Sequence, residues 1–184
     1  MTPSTTGSAL GRPMSWEEYW ALPDELRAEY VDGLVYVNPP ATFSHQKICQ
    51  RLRDQLVAAF GSACVVAFAV GWRLPTERRI LRVPDLMLLT AEPEDDVVTG
   101  PVPVAVEVLS TNRRIDLVAK ATEYLEAAAG QYWMVDPRDR VVMILERAAV
   151  GWAQLAQLTD DEPAASFDIV PFGPFTLSLT DLLG

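Results

Sequence analysis

The sequence predicts an α/β domain in which a mixed sheet of about six to eight strands packs against two main helices. Three observations lead to this prediction. Short apolar runs recur along the chain and are separated by turn-forming residues. Two longer segments, 44–60 and 116–129, are predicted to be helices that end at a glycine. The 184 residues suffice for a single domain with a sizeable core.

Turn and cap residues divide the first half of the chain into short elements. Asp32-Gly33 lies between two β-rich segments and is the strongest short signal for a hairpin. Ser44 is the predicted cap of the first main helix, and Gly61 ends that helix. The predicted elements are, in order, a flexible tail (1–13), a capped short helix (15–22), a helical turn (24–28), a hairpin (29–37), a helix (44–60), a buried strand (63–70) and a hairpin end or loop (72–82).

The second half is predicted to alternate strands with one helix. Gly130 ends the helix, and Asp136-Pro137 is typical of a turn. The predicted elements are strands (83–89, 102–109), a helix (116–129), strands (132–135, 141–146, 152–158), acidic loops (92–96, 160–165) and a largely irregular C-terminal part (169–183) with a short strand near 176–179. Residues 14–184 are thus predicted to form one domain.

Composition and charge exclude several classes of protein. With 49% apolar and 22% charged residues, the chain is not disordered, collagen-like or a coiled coil. A net charge of -10 disfavours non-specific binding to nucleic acid or to anionic membranes, so a phosphate site would have to be local. Cys49 and Cys64 form no metal-binding or disulfide pattern. No signal peptide or bilayer-spanning run is recognisable, so we expect a soluble cytoplasmic protein.

Two acids occur in segments that are otherwise apolar. Alternation places Glu107 on the strand face opposite Val104, Val106 and Val108, while Asp85 follows a proline at the start of another apolar strand. Each acid alone is as well explained by an ion pair or a wet strand end. Two adjacent buried carboxylates would repel each other by about 4 kcal/mol at an effective dielectric constant of 20. A divalent cation would remove that repulsion, and Mg²⁺ accepts one or two carboxylates plus water.

The presence of Lys120 in the next predicted helix favours the interpretation that the two acids form a functional site. On the predicted helix it shares a face with Asp116 and Glu123. One interpretation is an exposed ion pair, which contributes only tenths of a kcal/mol. The other is a cation that orients a nucleophilic water and offsets charge on a phosphate.

Other charged residues near the acids leave two interpretations open. His45, the single histidine, lies in the first turn of a predicted helix, where the dipole disfavours its charged form. It is either a packing residue or a general base or substrate contact. Six of the 15 basic residues are arginines close in sequence to the two acids, and they form either phosphate contacts or solvated loops: Arg73, Arg78, Arg79, Arg82, Arg113 and Arg114.

Taken together, the motifs resemble the Uma-two (Uma2) endonuclease family of the PD-(D/E)XK restriction-endonuclease-like superfamily. The resemblance covers about residues 14–183. The matching strings are Glu17-Glu18-Tyr19, Glu29-Tyr30-Val31-Asp32-Gly33, Ser44-His45-Gln46, Pro84-Asp85, Val106-Glu107-Val108-Leu109-Ser110, Asp116-Leu117 with Lys120, and Tyr132-Trp133-Met134-Val135-Asp136-Pro137. The resemblance implies a mixed central sheet flanked by helices, with an added C-terminal extension rich in strands.

The resemblance also implies a metal site. Asp85 and Glu107 resemble the carboxylates that bind Mg²⁺ or Mn²⁺ in the superfamily, and the carbonyl of Val108 is a further ligand in this comparison. Glu29 resembles the N-terminal acid that approaches the same metal. These four residues are therefore expected to meet in the folded chain.

The basic residue departs from the superfamily pattern. The superfamily expects a lysine two residues after the glutamate, and this sequence has Leu109 there. Lys120 is the replacement that the resemblance suggests, reaching in from the following helix. His45 is included among the expected catalytic residues because its string matches the family.

The resulting functional hypothesis is a Mg²⁺-dependent endonuclease that hydrolyses DNA. A second hypothesis is a non-catalytic oligomeric binding module on the same fold, which the net charge of -10 favours. A third is hydrolysis of a small phosphorylated substrate. No membrane partner is expected, and the apolar C-terminal half suggests a homodimer.

Overall fold

The computed structural model describes residues 11–23, 26–109 and 116–184. These residues confirm the α/β class. The strands among them are β1 (Arg12–Pro13), β2 (Ala28–Val31), β3 (Leu34–Val37), β4 (Val65–Phe68), β5 (Trp72–Arg73), β6 (Ile80–Arg82), β7 (Leu86–Leu89), β8 (Val98–Thr99), β9 (Val104–Val108), β10 (Gln131–Asp136), β11 (Val141–Arg147), β12 (Trp152–Leu158), β13 (Ala164–Ile169) and β14 (Gly173–Ser178). The α-helices among them are α1 (Trp16–Trp20), α2 (Phe43–Phe60), α3 (Asp116–Glu126) and α4 (Leu179–Leu183).

The described strands form two six-stranded sheets and one separate hairpin. The mixed central sheet is confirmed, since β9 and β10 are parallel and its other strand pairs are antiparallel, whereas the first sheet was not predicted as a separate sheet. The first sheet has the order β1-β3-β2-β6-β5-β8, and the second has the order β12-β11-β10-β9-β7-β4. Strand β6 of the first sheet ends at Arg82, and β7 of the second sheet begins four residues later at Leu86. Pro84 lies in this crossover, where its missing N–H breaks the strand ladder. Asp85 therefore lies where the two sheets meet.

The second sheet is central, and its two faces are covered by different elements. One face packs against α2, α4 and the β13-β14 hairpin. The other face packs against α3 and residues of the first sheet. Strand β9 follows the predicted alternation. Val104, Val106 and Val108 pack on the face covered by α2, and Ala105 packs on the face covered by α3. Glu107 faces α3, where it accepts a hydrogen bond from Tyr124.

Several local predictions are confirmed. Ser15 caps α1 and forms a capping box with Glu18. The hairpin β2-β3 turns at Asp32 and Gly33, which both have positive φ angles, as a type I′ turn requires. The first main helix forms as predicted, but its cap is Thr42, not Ser44.

The C-terminal part is more regular than the sequence suggested. Residues predicted to be largely irregular form β14 and α4, and the preceding strand β13 begins at Ala164, within the predicted acidic loop. The prolines obscured this pattern, but Pro171 lies in the turn and Pro174 at the start of β14, where strands tolerate proline. Phe167, Ile169, Phe175 and Leu177 are buried from alternating positions and anchor the hairpin on the central sheet.

Two N-terminal predictions fall partly outside the described residues. Of the predicted tail, residues 1–10 are outside them, while Arg12 and Pro13 pair with β3. Of the predicted turn at 24–28, residues 24 and 25 are outside them, and Ala28 begins β2. No helix in the part of the chain that is described is long and apolar enough to cross a membrane.

Candidate active site

The two acids found in apolar segments lie at the same end of two neighbouring strands. Strand β7 pairs antiparallel with β9, and Leu86 lies opposite Val106. Asp85 immediately precedes β7, and Glu107 follows Val106 on β9, so the two acids lie at the same end of this strand pair. The charge of Asp85 contributes to the raised pKa of Glu107. Both acids are buried, with exposed fractions of 5% for Asp85 and 3% for Glu107.

Asp85 is held from the backbone of β9 and from α2. Its Oδ2 accepts the N–H of Val108 at 2.9 Å and lies 3.0 Å from Nε2 of His45. On its other side, His45 places Nδ1 3.8 Å from Sγ of Cys49, one helical turn further along α2. A neutral imidazole protonated on Nε2 satisfies both contacts, since Nε2 then donates to the carboxylate and Nδ1 accepts from the thiol. Burial raises the pKa of Cys49 to about 12, so this thiol is not a nucleophile.

Glu107 is held by two groups from α3. Lys120 donates from Nζ to Oε1 at 2.8 Å, and Tyr124 donates from its hydroxyl to the same oxygen at 2.8 Å. Both donors are buried and one helical turn apart, so α3 presents them together. Oε2 of Glu107 accepts no hydrogen bond from the described residues and is the oxygen that remains for a further ligand.

Lys120 connects Glu107 to a buried ion cluster. Its Nζ also lies 3.0 Å from Oε1 of Glu29 on β2. Glu29 in turn contacts Arg82 of β6 at 2.9 Å, and Arg82 donates from Nε to Glu123 of α3 at 2.7 Å. The cluster therefore ties both sheets to α3 through charged side chains. We refer to these five side chains as the ion cluster: Glu29, Arg82, Glu107, Lys120 and Glu123.

Electrostatics distinguish the two glutamates that share Lys120. Burial by itself would raise the pKa of Glu29, but Lys120 and Arg82 outweigh it and lower the pKa to about 2. Burial raises the pKa of Glu107, and the charges of Asp85 and Glu29 add to this effect, so that the pKa rises to about 7 although Lys120 opposes the change. The positive charge of Lys120 is therefore too small to offset the burial of Glu107 and the repulsion from the neighbouring acids.

Comparisons with known proteins agree with this geometry. A family model described as "Uma2: Putative restriction endonuclease" matches residues 16–180. The chain belongs to the Uma2 family. Among solved structures, the fold is similar to one described as a "putative nuclease belonging to DUF820 from Anabaena variabilis", with a TM-score of 0.75 and 17% sequence identity over 93% of this chain and 98% of that chain. The comparison with curated proteins returned no match.

Membership of the Uma2 family confirms the resemblance inferred from the sequence motifs. Together with the fold, it supports a nuclease-like function and a nucleic-acid substrate. At 17% identity, the structural similarity by itself establishes only the fold.

The structure brings the expected site residues of the Uma2 chain into one neighbourhood. Asp85 contacts His45 and the backbone of Val108, and Lys120 contacts both Glu107 and Glu29. Lys120 is 1% exposed, so the interpretation as an exposed ion pair is wrong. Of the six arginines near the acids, Arg82 enters the ion cluster, while Arg113 and Arg114 lie outside the described residues.

Sequence reasoning missed two residues of the site. Glu123 was predicted to share a helix face with Lys120, but its contact with Arg82 and the contact of Tyr124 with Glu107 were not predicted. The spacing of Lys120 and Glu123 on one helical face was a usable signal, because a charged pair next to a buried acid is often buried with it. No sequence signal singled out the hydroxyl of Tyr124.

The donor groups fit a hard divalent cation. The described residues contain no group of three or more His, Cys, Asp and Glu side chains arranged to hold a metal. They contain instead two buried carboxylates, Asp85 and Glu107, at the same end of β7 and β9, and Mg²⁺ commonly takes one or two protein carboxylates while retaining water. Among the described residues, the buried charged side chains are four acids and two bases, Asp85, Glu29, Glu107 and Glu123 against Arg82 and Lys120. Their formal sum of -2 equals the charge that one divalent cation would neutralise.

Proposed function

We propose that the protein is a divalent-metal-dependent endonuclease that hydrolyses phosphodiester bonds of DNA. The observation that supports this most strongly is the presence of two buried acids, Asp85 and Glu107, at the same end of the paired strands β7 and β9, with Lys120 at 2.8 Å from Glu107. Family membership supports the nuclease chemistry, and the oxygen ligands support Mg²⁺ or Mn²⁺. We also propose that the protein forms a homodimer, and this proposal rests on the sequence alone.

Each residue of the site has a distinct role in this proposal. Asp85 and Glu107 hold the metal, which when bound polarises a phosphate oxygen and lowers the pKa of a coordinated water. The carbonyl of Val108 is a further ligand by family resemblance. Lys120 positions the attacking water and offsets negative charge that develops on the phosphate.

The remaining residues orient these groups. Tyr124 and Lys120 both donate to Oε1 of Glu107, which fixes the orientation of that carboxylate. Glu29 accepts from Lys120 and keeps its ammonium group at the site. His45 holds Asp85 at 3.0 Å, and we assign it an orienting role, because both of its ring nitrogens are engaged by Asp85 and Cys49.

The direct test is to measure DNA cleavage at defined concentrations of divalent metal. We expect plasmid and linear DNA to be cut with Mg²⁺ or Mn²⁺ and to remain intact with a chelator in excess. If the protein binds neither metal at millimolar concentration and cuts no DNA, the alternative of a non-catalytic binding module is favoured. Cleavage of a small phosphodiester with intact DNA would instead indicate a small phosphorylated substrate.

Metal binding is expected to raise the melting temperature more at pH 8 than at pH 5.5. The pKa of Glu107 is raised to about 7 by burial and by Asp85 and Glu29, so the folded protein holds a proton on Glu107 at pH 5.5 that a metal must displace. A raised carboxyl pKa also means that the contribution of Glu107 to stability falls as pH rises from about 4.5 to about 7. Differential scanning fluorimetry with and without Mg²⁺ at the two pH values measures the difference.

The control for the thermal shift is Asp85→Asn, which removes one proposed ligand but keeps a carbonyl that can accept from Val108. We expect this variant to lose most of the shift at both pH values. An equal shift in the variant would indicate that Mg²⁺ binds elsewhere.

A further inference from the structure

A groove outside the proposed cleavage site combines arginines with an aromatic ring. It has a volume of about 480 Å³ and lies along the connection between β5 and β6. Its lining includes Arg73, Arg78, Arg79, Thr76 and Trp16. A volume of this order is typical of sites for small organic ligands, and it admits a nucleotide unit but not a duplex.

Two of the three arginines have their charges available for a ligand. In the described part of the chain, neither Arg73 nor Arg79 has a carboxylate within ion-pair distance, and both side chains are exposed. Arg78 differs, because its guanidinium is 2.7 Å from Asp32 and 3.8 Å from Glu123. The acid in the lining of the groove is Glu77, so the local charge is positive in a protein whose net charge is -10.

Trp16 supplies a flat apolar surface next to these charges. Its ring stacks against Tyr19 at a centroid distance of 5.9 Å and meets Tyr30 edge-on at 4.9 Å. These contacts hold the ring in place, and the residue remains partly exposed in the groove. A fixed aromatic ring beside arginines is the combination that binds unpaired bases together with their phosphates.

The groove is close enough to the proposed cleavage site for one strand to occupy both. Arg79 and Asp85 are six positions apart, so their Cα atoms are separated by at most about 20 Å. Arg78 contacts both the turn residue Asp32 and Glu123 of the ion cluster. Binding sites for single strands commonly extend over about 4–16 nucleotides.

We propose that this groove binds a single-stranded segment of nucleic acid, with Arg73 and Arg79 contacting phosphates and Trp16 stacking on a base. The inference rests on the proposed function and refines it, because it names the unpaired strand as the part of the substrate that is held beside the cleavage site. It also explains how an acidic protein can bind a polyanion, since the contact is confined to one basic groove.

The test is binding of a fluorescein-labelled oligothymidylate of about 12 nucleotides, measured by fluorescence anisotropy in the presence of EDTA at several salt concentrations. We expect the double variant Arg73→Gln/Arg79→Gln to weaken binding by about tenfold or more, because two charge-assisted contacts are lost. The slope of log K against log salt should become shallower by about 1.4, since each lost phosphate contact on a single strand contributes about 0.7. Glu77→Gln should tighten binding.

The matched control is Arg138→Gln/Arg147→Gln, which removes the same charge from exposed positions on the β10-β11 hairpin of the other sheet. We expect its affinity to remain within about twofold of the wild-type value. Equal weakening in the two double variants, failure of the wild type to bind, or stronger binding to a duplex of the same length would overturn the inference. Circular dichroism confirms the fold of each variant, and Glu77→Gln provides a second readout if one double variant is unstable.

Binding without metal separates this inference from the proposed function. Loss of oligothymidylate binding in the groove variant of a protein that never cuts DNA would support the groove and refute the nuclease. Full cleavage of DNA with unchanged binding in the groove variant would support the nuclease and refute the groove.

Discussion

Replacing Asp85 with Asn or Glu107 with Gln is expected to reduce Mg²⁺-dependent DNA cleavage by about 10³-fold or more. A bound metal contributes several kcal/mol of charge stabilisation in the transition state, and each 1.36 kcal/mol corresponds to a factor of ten in rate. Both variants keep the shape of the side chain. Glu107→Gln retains a carbonyl oxygen that can accept from Lys120 and Tyr124, and Asp85→Asn retains one that can accept from Val108. Single-turnover cleavage under saturating protein measures the chemical step.

The matched control for these variants is Asp168→Asn, which makes the same chemical change at an exposed position on β13. Its cleavage rate should equal that of the wild type. Wild-type rates in both Asp85→Asn and Glu107→Gln would contradict the assignment of these residues as metal ligands. A drop in only one of them would reduce the site to a single essential carboxylate.

Replacing Arg82 with Met is expected to lower the free energy of unfolding by about 3–5 kcal/mol, because two buried carboxylates would lose a shared cation. Arg82 is 4% exposed and joins Glu29 to Glu123 through contacts of 2.9 and 2.7 Å. Arg82 contributes to the low pKa of Glu29. In the variant, the carboxylate of Glu29 should therefore bind a proton at a higher pH during acid titration. Urea denaturation at pH 7 gives the free-energy difference.

The comparison variant is Arg140→Gln, whose partner Asp160 is 64% exposed at the side chain. Exposed pairs contribute about 0–1 kcal/mol, so this variant should unfold close to the wild-type midpoint. An Arg82→Met protein as stable as Arg140→Gln would show that the buried cluster relaxes or admits water. In that case the pKa of Glu29 would not be held low by Arg82.

The site could be predicted from the sequence where a charge interrupts an apolar pattern. Glu107 was recognisable because alternation in β9 places it among buried residues, and Asp85 because it begins a strand after a proline. Their proximity could not be derived from periodicity, because it depends on the antiparallel register of β7 with β9. Family resemblance supplied that step.

The ion cluster shows what sequence patterns leave out. Arg82 was grouped with neighbouring arginines in a loop, yet it is buried while Arg73 and Arg79 are exposed. The difference comes from β6, which pairs with β2 and turns Arg82 towards Glu29. Pairing between strands that are about 50 residues apart in the chain is not encoded in local composition.

The C-terminal hairpin is a second feature that local sequence patterns did not predict. Pro171 and Pro174 indicated an irregular segment, although large apolar residues alternate in both strands, Phe167 and Ile169 in β13 and Phe175 and Leu177 in β14. The position of a proline within a strand decides its effect, because only an interior ladder position needs the N–H. The tertiary contact with α2 and the central sheet then stabilises the hairpin.

Anomalous diffraction from a crystal soaked in Mn²⁺ tests the central claim most directly. We expect one strong peak that contacts carboxylate oxygens of both Asp85 and Glu107, with Lys120 still beside Glu107. A peak bound to only one of these acids, or no peak near them at saturating Mn²⁺, would contradict a shared metal site.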